Sequence, residues 1–470
     1  MVLDNLQPAR VMHYFEEISA VPRGSGDTKR ISDRCVEMAR ALELDCRQDE
    51  HNNVVIRKSA SAGYEDHPAV ILQGHLDMVC EKEPDSDHDF SRDGIRLLVD
   101  GDWITADGTT LGGDNGIAVA MIFALLEDAD AVHPPLVAIF TTDEETGMDG
   151  AIGLDASDID ARLLINIDSE EEGVLTVGCA GGARAVMRLP LTRTATDMPC
   201  YTVTVDGLIG GHSGVEINAG RLNANRLLAE FLQSLPVGWQ IVDIGGGLKE
   251  NAIPRRAGCV ICAPADYSAQ AAAFADARRV DTDPDLIVTV TPTATVDTAF
   301  SVADSARIAD FLAALPNGVQ AMSAAIEGLV ETSLNLGIVK IEEDALVAIC
   351  SVRSSVTAAK AALLARLRDV AAQYGGDFAD TAHYPAWEYR AESRLRDTMV
   401  AVYEQQYGSS PRVMAIHAGL ECGLFCEKME GLDAVSFGPD MKDIHTTQER
   451  MSIPSIARTY DYLRGVLAAL

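Results

Sequence analysis

The sequence predicts an α/β domain interrupted by an inserted α+β domain. Three observations carry this expectation. Near-continuous apolar runs of strand length alternate with helical periodicity early in the chain, as at Ala69-Val-Ile-Leu-Gln, Leu136-Val-Ala-Ile-Phe-Thr and Leu163-Leu-Ile-Asn-Ile. Such runs fit strands buried on both faces of a largely parallel sheet. After Gly178-Cys-Ala-Gly-Gly182 the texture changes to alternating strands, such as Cys200-Tyr-Thr-Val-Thr-Val-Asp206, with amphipathic helices between them. From about Trp387 helix and apolar strand return. Residues 1–184 and 387–470 therefore form two parts of one domain, and 185–386 an insertion of about 200 residues, within the usual size of a domain.

Taken in order, residues 8–20 and 28–43 carry helical periodicity, with Gly24-Ser-Gly-Asp27 as the loop between them. Asn53-Val-Val-Ile-Arg and Ala69-Val-Ile-Leu-Gln read as strands, and His75 lies at the C-terminal end of the second. Asp114-Asn-Gly opens an apolar helix from Ile117 to Leu126. Glu144 and Glu145 follow the strand that starts at Leu136, and Asp168 ends the one from Leu163. Functional groups at strand C-termini fit the site rule for open α/β sheets. In the insertion, Leu286-Ile-Val-Thr-Val-Thr-Pro and Ala345 to Arg353 read as strands, and 221–234, 304–314 and 357–373 as helices. Gly245-Gly-Gly247 reads as a flexible loop. No internal repeat or low-complexity tract is recognisable.

The net charge is −33, from 71 acidic and 38 basic residues among 470. This excludes nucleic acid and anionic membranes as partners, because both need a basic surface. No apolar run reaches membrane-spanning length, and the N-terminal residues lack a basic stretch followed by an apolar one, so no signal peptide is expected. Ten cysteines without tight spacing do not form a disulfide framework. Cys422 and Cys426, four apart, share a helix face rather than make a zinc pair. A cytoplasmic location is expected.

Five side chains with metal-ligand chemistry stand in stereotyped contexts: His75 in Gln-Gly-His-Leu-Asp, Asp114 in Gly-Gly-Asp-Asn-Gly, Glu145 in Asp-Glu-Glu-Thr-Gly, Asp168 in Asn-Ile-Asp-Ser-Glu and His445 in Asp-Ile-His-Thr-Thr. Singly, each fits a surface loop, a helix start or an N-cap. Two imidazoles and three carboxylates together make the ligand set of a two-zinc hydrolase. Asp77, two residues after His75, is placed to accept its second N–H and fix its tautomer. Glu144 remains beside a ligand, where a general base is useful. His212 in Gly-Gly-His-Ser-Gly reads either as a loop histidine or as a donor to a scissile carbonyl. Arg353 reads as a carboxylate fork or as a structural ion pair. Gly112-Gly-Asp-Asn-Gly116 lacks the Lys-Ser/Thr of a phosphate loop, and no Gly-x-Ser-x-Gly elbow occurs.

These motifs resemble the aminoacyl-histidine dipeptidases, within the di-zinc family of carnosinases, aminoacylases and glutamate carboxypeptidases. The resemblance runs from Ile18-Ser-Ala-Val-Pro-Arg-Gly-Ser-Gly26 through Leu72-Gln-Gly-His-Leu-Asp-Met-Val79, Leu111 to Ala118, Thr142 to Met148 and Asn166 to Glu171. It continues at Gly210 to Gly214, Asn251-Ala-Ile-Pro254, Ile416-His-Ala-Gly-Leu-Glu421 and Ser436-Phe-Gly-Pro439, and reaches His445-Thr-Thr. It implies a zinc-exopeptidase-like catalytic domain with a mixed sheet between helices, and an α+β lid of the dimerisation type. His75, Asp114 and Asp168 would hold one Zn²⁺, and Asp114, Glu145 and His445 the other, with Co²⁺ or Mn²⁺ as substitutes. Asp114 would bridge, Asp77 orient His75, and Glu144 act as general base. His212, Asn251 and Arg353 would contact the substrate from the lid. The implied activity is hydrolysis of dipeptides, Xaa-His and β-Ala-His among them, in a monomer or homodimer. The alternatives are a related deacylase or carboxypeptidase, and a zinc-binding protein without activity.

Overall fold

The computed structural model describes residues 2–470. The chain divides into two compact units. Unit 1 takes the chain up to Gly178, then Tyr389–Ala415 and Leu420–Leu470, and unit 2 takes Cys179–Glu388 and Ile416–Gly419. Residues 179–184 and 387–388 thus belong to unit 2, and so does the short excursion at 416–419, which lies inside the region read from sequence as the second part of the first domain. The excursion is held by long-range bonds: Ala180 N donates to Ile416 O and Ala418 O at 3.2 and 3.0 Å. Local sequence carries no sign of such pairing.

Unit 1 is built on an eight-stranded mixed sheet. Its order is Asp45–Gln48, Val54–Lys58, Leu136–Thr141, Val70–His75, Leu163–Asn166, Asp433–Ser436, Val174–Cys179 and Arg412–Ile416. The four central strands, from Leu136–Thr141 to Asp433–Ser436, run parallel. Val70, Ile71 and Leu72 are all fully buried, so both faces of this sheet are covered. That explains why the sequence shows continuous apolar runs here rather than alternation. The helix Gly113–Glu127 is buried all round from Ile117 to Leu126 and packs on the strand Val70–His75 and the helix Ala9–Ser19. A helix with no polar face belongs inside. Phe123 lies at its centre, stacked on Tyr14 at 5.5 Å and Phe140 at 5.2 Å.

Unit 2 has a nine-stranded sheet, ordered Ile287–Thr293, Cys200–Asp206, Ala257–Cys262, Gln240–Gly246, Val330–Glu342, Ala345–Ser354, Gly181–Pro190 and Asp377–Tyr384, with Gly318–Met322 paired to Val330–Glu342. Every pairing in it is antiparallel. Helices Ala224–Ser234 and Val302–Ala314 start at Asn223 and Ser301, whose side chains accept the amides of Arg226 and Asp304. Gly245 and Gly246 are strand residues, not a flexible loop. A Cβ at Gly246 would meet the Ala257 Cβ at 2.6 Å, so close packing between strands selects glycine there. Among the described residues no helix is long and apolar enough to cross a membrane.

Truncating Phe123 to Ala removes a ring with close partners on two sides. The expected loss is about 3–5 kcal/mol of unit 1 stability, read as a lower urea midpoint. An unchanged midpoint would contradict the packing described.

Candidate metal centre

All four parallel strands lead, at their C-terminal ends, into candidate ligands. His75 is the last residue of its strand. Glu144 and Glu145 open a short helix just after Leu136–Thr141, Asp168 follows Leu163–Asn166, and His445 follows Asp433–Ser436. Asp114 sits at the start of the helix Gly113–Glu127. Asn115 locks two of these ends together. Its Oδ1 accepts His75 N at 3.1 Å, and its Nδ2 donates to Ile167 O at 2.6 Å. A Cβ on Gly74 would collide with Asn115 and with Ala118, which explains the glycine before His75.

The two carboxylate oxygens of Asp114 face different histidines. Oδ1 lies 3.1 Å from His75 Nε2, and Oδ2 lies 3.1 Å from His445 Nε2. His75 Nε2 is also 3.6 Å from Asp168 Oδ1, and His445 Nε2 is 3.0 Å from Glu145 Oε1. Two groups result, His75–Asp114–Asp168 and Asp114–Glu145–His445, each with its ligand atoms within 4.8 Å of one another. His75, Glu144 and Glu145 form a third. Ligands ~2.0–2.1 Å from one tetrahedral ion lie ~3.3–3.4 Å apart. The observed separations fall around that value, so the residues present fit a divalent cation in donor type and in spacing.

The electrostatics agree. Burial pushes the carboxyls of Glu144, Glu145 and Asp168 up, and neighbouring carboxylates add to it. Burial disfavours a charged His75, but Asp168 and hydrogen bonds to Asp114, Asp168 and Asp77 outweigh it and raise its pKa well above the usual value. Hydrogen bonds to Asp114 and Glu145 bring His445 up to about 10. Carboxyls raised by burial and by one another, beside histidines raised by those carboxylates, mark a cluster short of positive charge. A cation supplies it.

Asp77 is fully buried, with Oδ1 3.3 Å from His75 Nδ1. Burial opposes its ionisation. The bond to His75, the charge of that ring, the Ser25 hydroxyl and the Glu144 amide prevail and hold the carboxyl at about 2. Asp77 also accepts the amides of Glu144 at 3.1 Å and Glu145 at 3.3 Å, so one carboxylate positions a histidine and the acidic pair together. Asp143 and His445 are left-handed non-glycine residues, at φ 56° and 60°. Gly26 N supports the first through Asp143 Oδ1 at 2.6 Å.

Next to the candidate ligands lies a buried polar network without an assigned role in the sequence. Glu421 Oε2 accepts Gln73 Nε2 at 2.6 Å and Thr141 Oγ1 at 2.8 Å, and Asn166 Nδ2 donates to Gln73 Oε1 at 2.5 Å. It links the ends of three strands that lead into candidate ligands. Burial pushes Glu421 up to about 7, and burial with Asp114 and Asp168 nearby does the same to Glu170. The available signal was Gln73 and Asn166, polar residues inside otherwise apolar strands.

His212, Asn251 and Arg353 lie in unit 2. His212 Nδ1 accepts the amides of Gly214 and Val215, both at 3.2 Å, which leaves the ring proton on Nε2. His212 pairs with Ala252 across a two-residue ladder, next to Asn251, whose carbonyl accepts Ser213 N at 2.9 Å. Arg353 is 8% exposed. It donates from Nη1 to the Tyr384 hydroxyl at 2.8 Å and makes no carboxylate pair among the described residues. His417, a member of the 416–419 excursion, was unassigned. Its Nε2 meets Ser333 Oγ at 2.7 Å, and burial with Arg353 nearby holds it down at about 4.

Known proteins are similar to this chain over its whole length. The chain is 35% identical over 476 residues to the cytosol non-specific dipeptidase of Escherichia coli strain K12, covering 99% of this chain and 98% of that one. It is similar to the crystal structure of aminoacylhistidine dipeptidase from Vibrio alginolyticus, with a TM-score of 0.93, 37% identity, and 100% and 98% of the two chains covered. The aminopeptidase PepT of Bacillus cereus shares the fold at a TM-score of 0.59 and 15% identity, over 99% of each chain. Residues 71–469, which carry every one of the five candidate ligands, match one family throughout, and the chain belongs to peptidase family M20/M25/M40.

Proposed function

We propose that this chain is a di-zinc dipeptidase that hydrolyses unblocked dipeptides, Xaa-His among them. Co²⁺ or Mn²⁺ would substitute for Zn²⁺. The observation that carries the reading is Asp114, whose two oxygens each face a different histidine. The names of the Escherichia coli and Vibrio alginolyticus relatives support dipeptides as substrates, and the first supports a cytosolic location.

His75, Asp114 and Asp168 would hold one ion, and Asp114, Glu145 and His445 the other. Zinc, when bound, supplies Lewis acidity toward a carbonyl oxygen and acidifies water. The remaining work falls to the chain's own groups. Asp77 holds His75 in the tautomer whose Nε2 is free for a ligand role. Glu144 accepts the proton of the attacking water and returns it to the leaving amine. The Nε2–H of His212 donates to the carbonyl oxygen as negative charge develops there. Arg353, which has no carboxylate partner among the described residues, takes the carboxylate of the substrate, and Asn251 contacts the peptide beside His212.

A substrate panel on zinc-loaded protein tests the reading. Ala-His and other dipeptides should be cleaved, and N-acetyl amino acids and long peptides should not. Cleavage of the latter with dipeptides inert would replace the dipeptidase by a deacylase or carboxypeptidase. In the same assay Glu144→Gln should lose about 10²–10⁴-fold in kcat while keeping its zinc. Near-normal kcat would remove Glu144 as the base.

His212→Ala should lower kcat/KM by about 10²–10³-fold, again with zinc retained; an unchanged value would leave His212 as a loop residue. Mixing His212→Ala chains with Glu144→Ala chains under subunit exchange then locates its action. Recovered activity assigns it to the partner's site in a homodimer. No recovery in confirmed mixed dimers assigns it to its own chain.

A further inference from the structure

Glu449 lies four residues beyond His445 and is 3% exposed. A buried carboxylate is costly unless its oxygens are satisfied. Here they are satisfied by backbone amides of another loop. Oε2 accepts Leu111 N at 2.8 Å and Gly112 N at 3.0 Å, while Oε1 accepts Gly113 N at 2.8 Å and lies 3.4 Å from Asp114 N. All four donors belong to the stretch that ends at Asp114.

Arg23, 2% exposed, grips the same stretch from the other side. Its Nη2 donates to Gly112 O, and its Nη1 donates to Leu76 O at 3.0 Å and Asp77 O at 3.2 Å. Gly112 is therefore held through its N–H by Glu449 and through its carbonyl by Arg23. The two glycines make this grip feasible. Gly112 is left-handed at φ +67°, and a Cβ there would collide with Arg23 and lie 2.7 Å from Met78 Sδ. A Cβ at Gly113 would collide with Met451 and approach Glu449 Oε1 to 3.3 Å.

The other end of the connection is the loop that carries His445. That residue sits at φ 60°, in the left-handed region that few non-glycine residues adopt. Glu449 anchors this loop to the backbone of 111–114. Asp114 and His445 are far apart in sequence, yet they belong to one ligand group, with Asp114 Oδ2 3.1 Å from His445 Nε2.

We propose that Glu449 is a positioning residue that ties the loop carrying Asp114 to the loop carrying His445, and so sets the ligand geometry of the Asp114–Glu145–His445 group. The inference rests on the di-zinc reading and adds a group that touches neither substrate nor ion. Four charge-assisted contacts from one carboxylate make a stiff connection. Residues that orient metal ligands influence affinity although they bind nothing themselves.

The test is a zinc titration against a chromophoric chelator, on wild-type protein and on Glu449→Gln, with circular dichroism to check folding. Glutamine keeps the size but presents an NH₂ group to amides that also donate. Zinc affinity should fall by about 10- to 100-fold for at least one ion, and kcat for Ala-His should fall while KM holds. A lower melting temperature with wild-type zinc affinity would make Glu449 a structural residue only and overturn the proposal. Should Glu449→Gln not fold, the same titration on Glu449→Asp decides. That variant keeps the charge but shortens the reach, so weaker zinc binding supports the proposal and wild-type affinity overturns it. Wild-type protein that takes up no zinc would sink the di-zinc reading and this inference with it. Normal uptake with an unaffected variant would sink this inference alone.

Discussion

The constraint on which unit 1 depends is that one carboxylate, Asp114, must face two histidines from different parts of the chain. Its oxygens lie 3.1 Å from His75 Nε2 and 3.1 Å from His445 Nε2. Such a point cannot be built from neighbouring residues. It needs strand ends that converge, loops that are pinned, and a helix start that places Asp114 between them. The parallel sheet supplies the convergence, because all four central strands release the chain on the same side. The buried polar groups supply the pins: Asn115 between His75 and Ile167, Glu421 between two strand ends with Gln73 reaching a third, and Glu449 with Arg23 around Gly112.

The cost of this arrangement is electrostatic. Asp114, Glu144, Glu145 and Asp168 crowd a region where burial already disfavours their charge. Only two imidazoles answer them directly, which is why His445 is raised to about 10. Cationic ligands relieve such crowding, so binding an ion and stabilising the site are one process. The same reasoning separates Asp77 from the others. Its environment of donors keeps it ionised at about 2, suited to orienting His75 rather than to exchanging protons.

Much of this was readable from sequence, for identifiable reasons. Parallel strands buried on both faces leave continuous apolar runs, so the strands at Val70, Leu136 and Leu163 were apparent. His75 and Asp114 sit in short glycine-containing contexts, because Gly74 and Gly112 must admit close neighbours. What sequence left unread is long-range. Glu421 and Glu449 act on residues hundreds of positions away, and no local pattern marks a carboxylate that will meet backbone amides. The 416–419 excursion into unit 2 escaped for the same reason. Gly245 and Gly246 misled in the opposite direction: glycines that suggested a loop serve strand packing instead.

The account therefore turns on two ions sharing Asp114. The most direct measurement is anomalous X-ray diffraction at the zinc edge, on crystals of the protein grown with zinc. The account predicts two peaks, one among His75, Asp114 and Asp168 and the other among Asp114, Glu145 and His445. A single peak, or peaks that leave Asp114 uncoordinated, would contradict it.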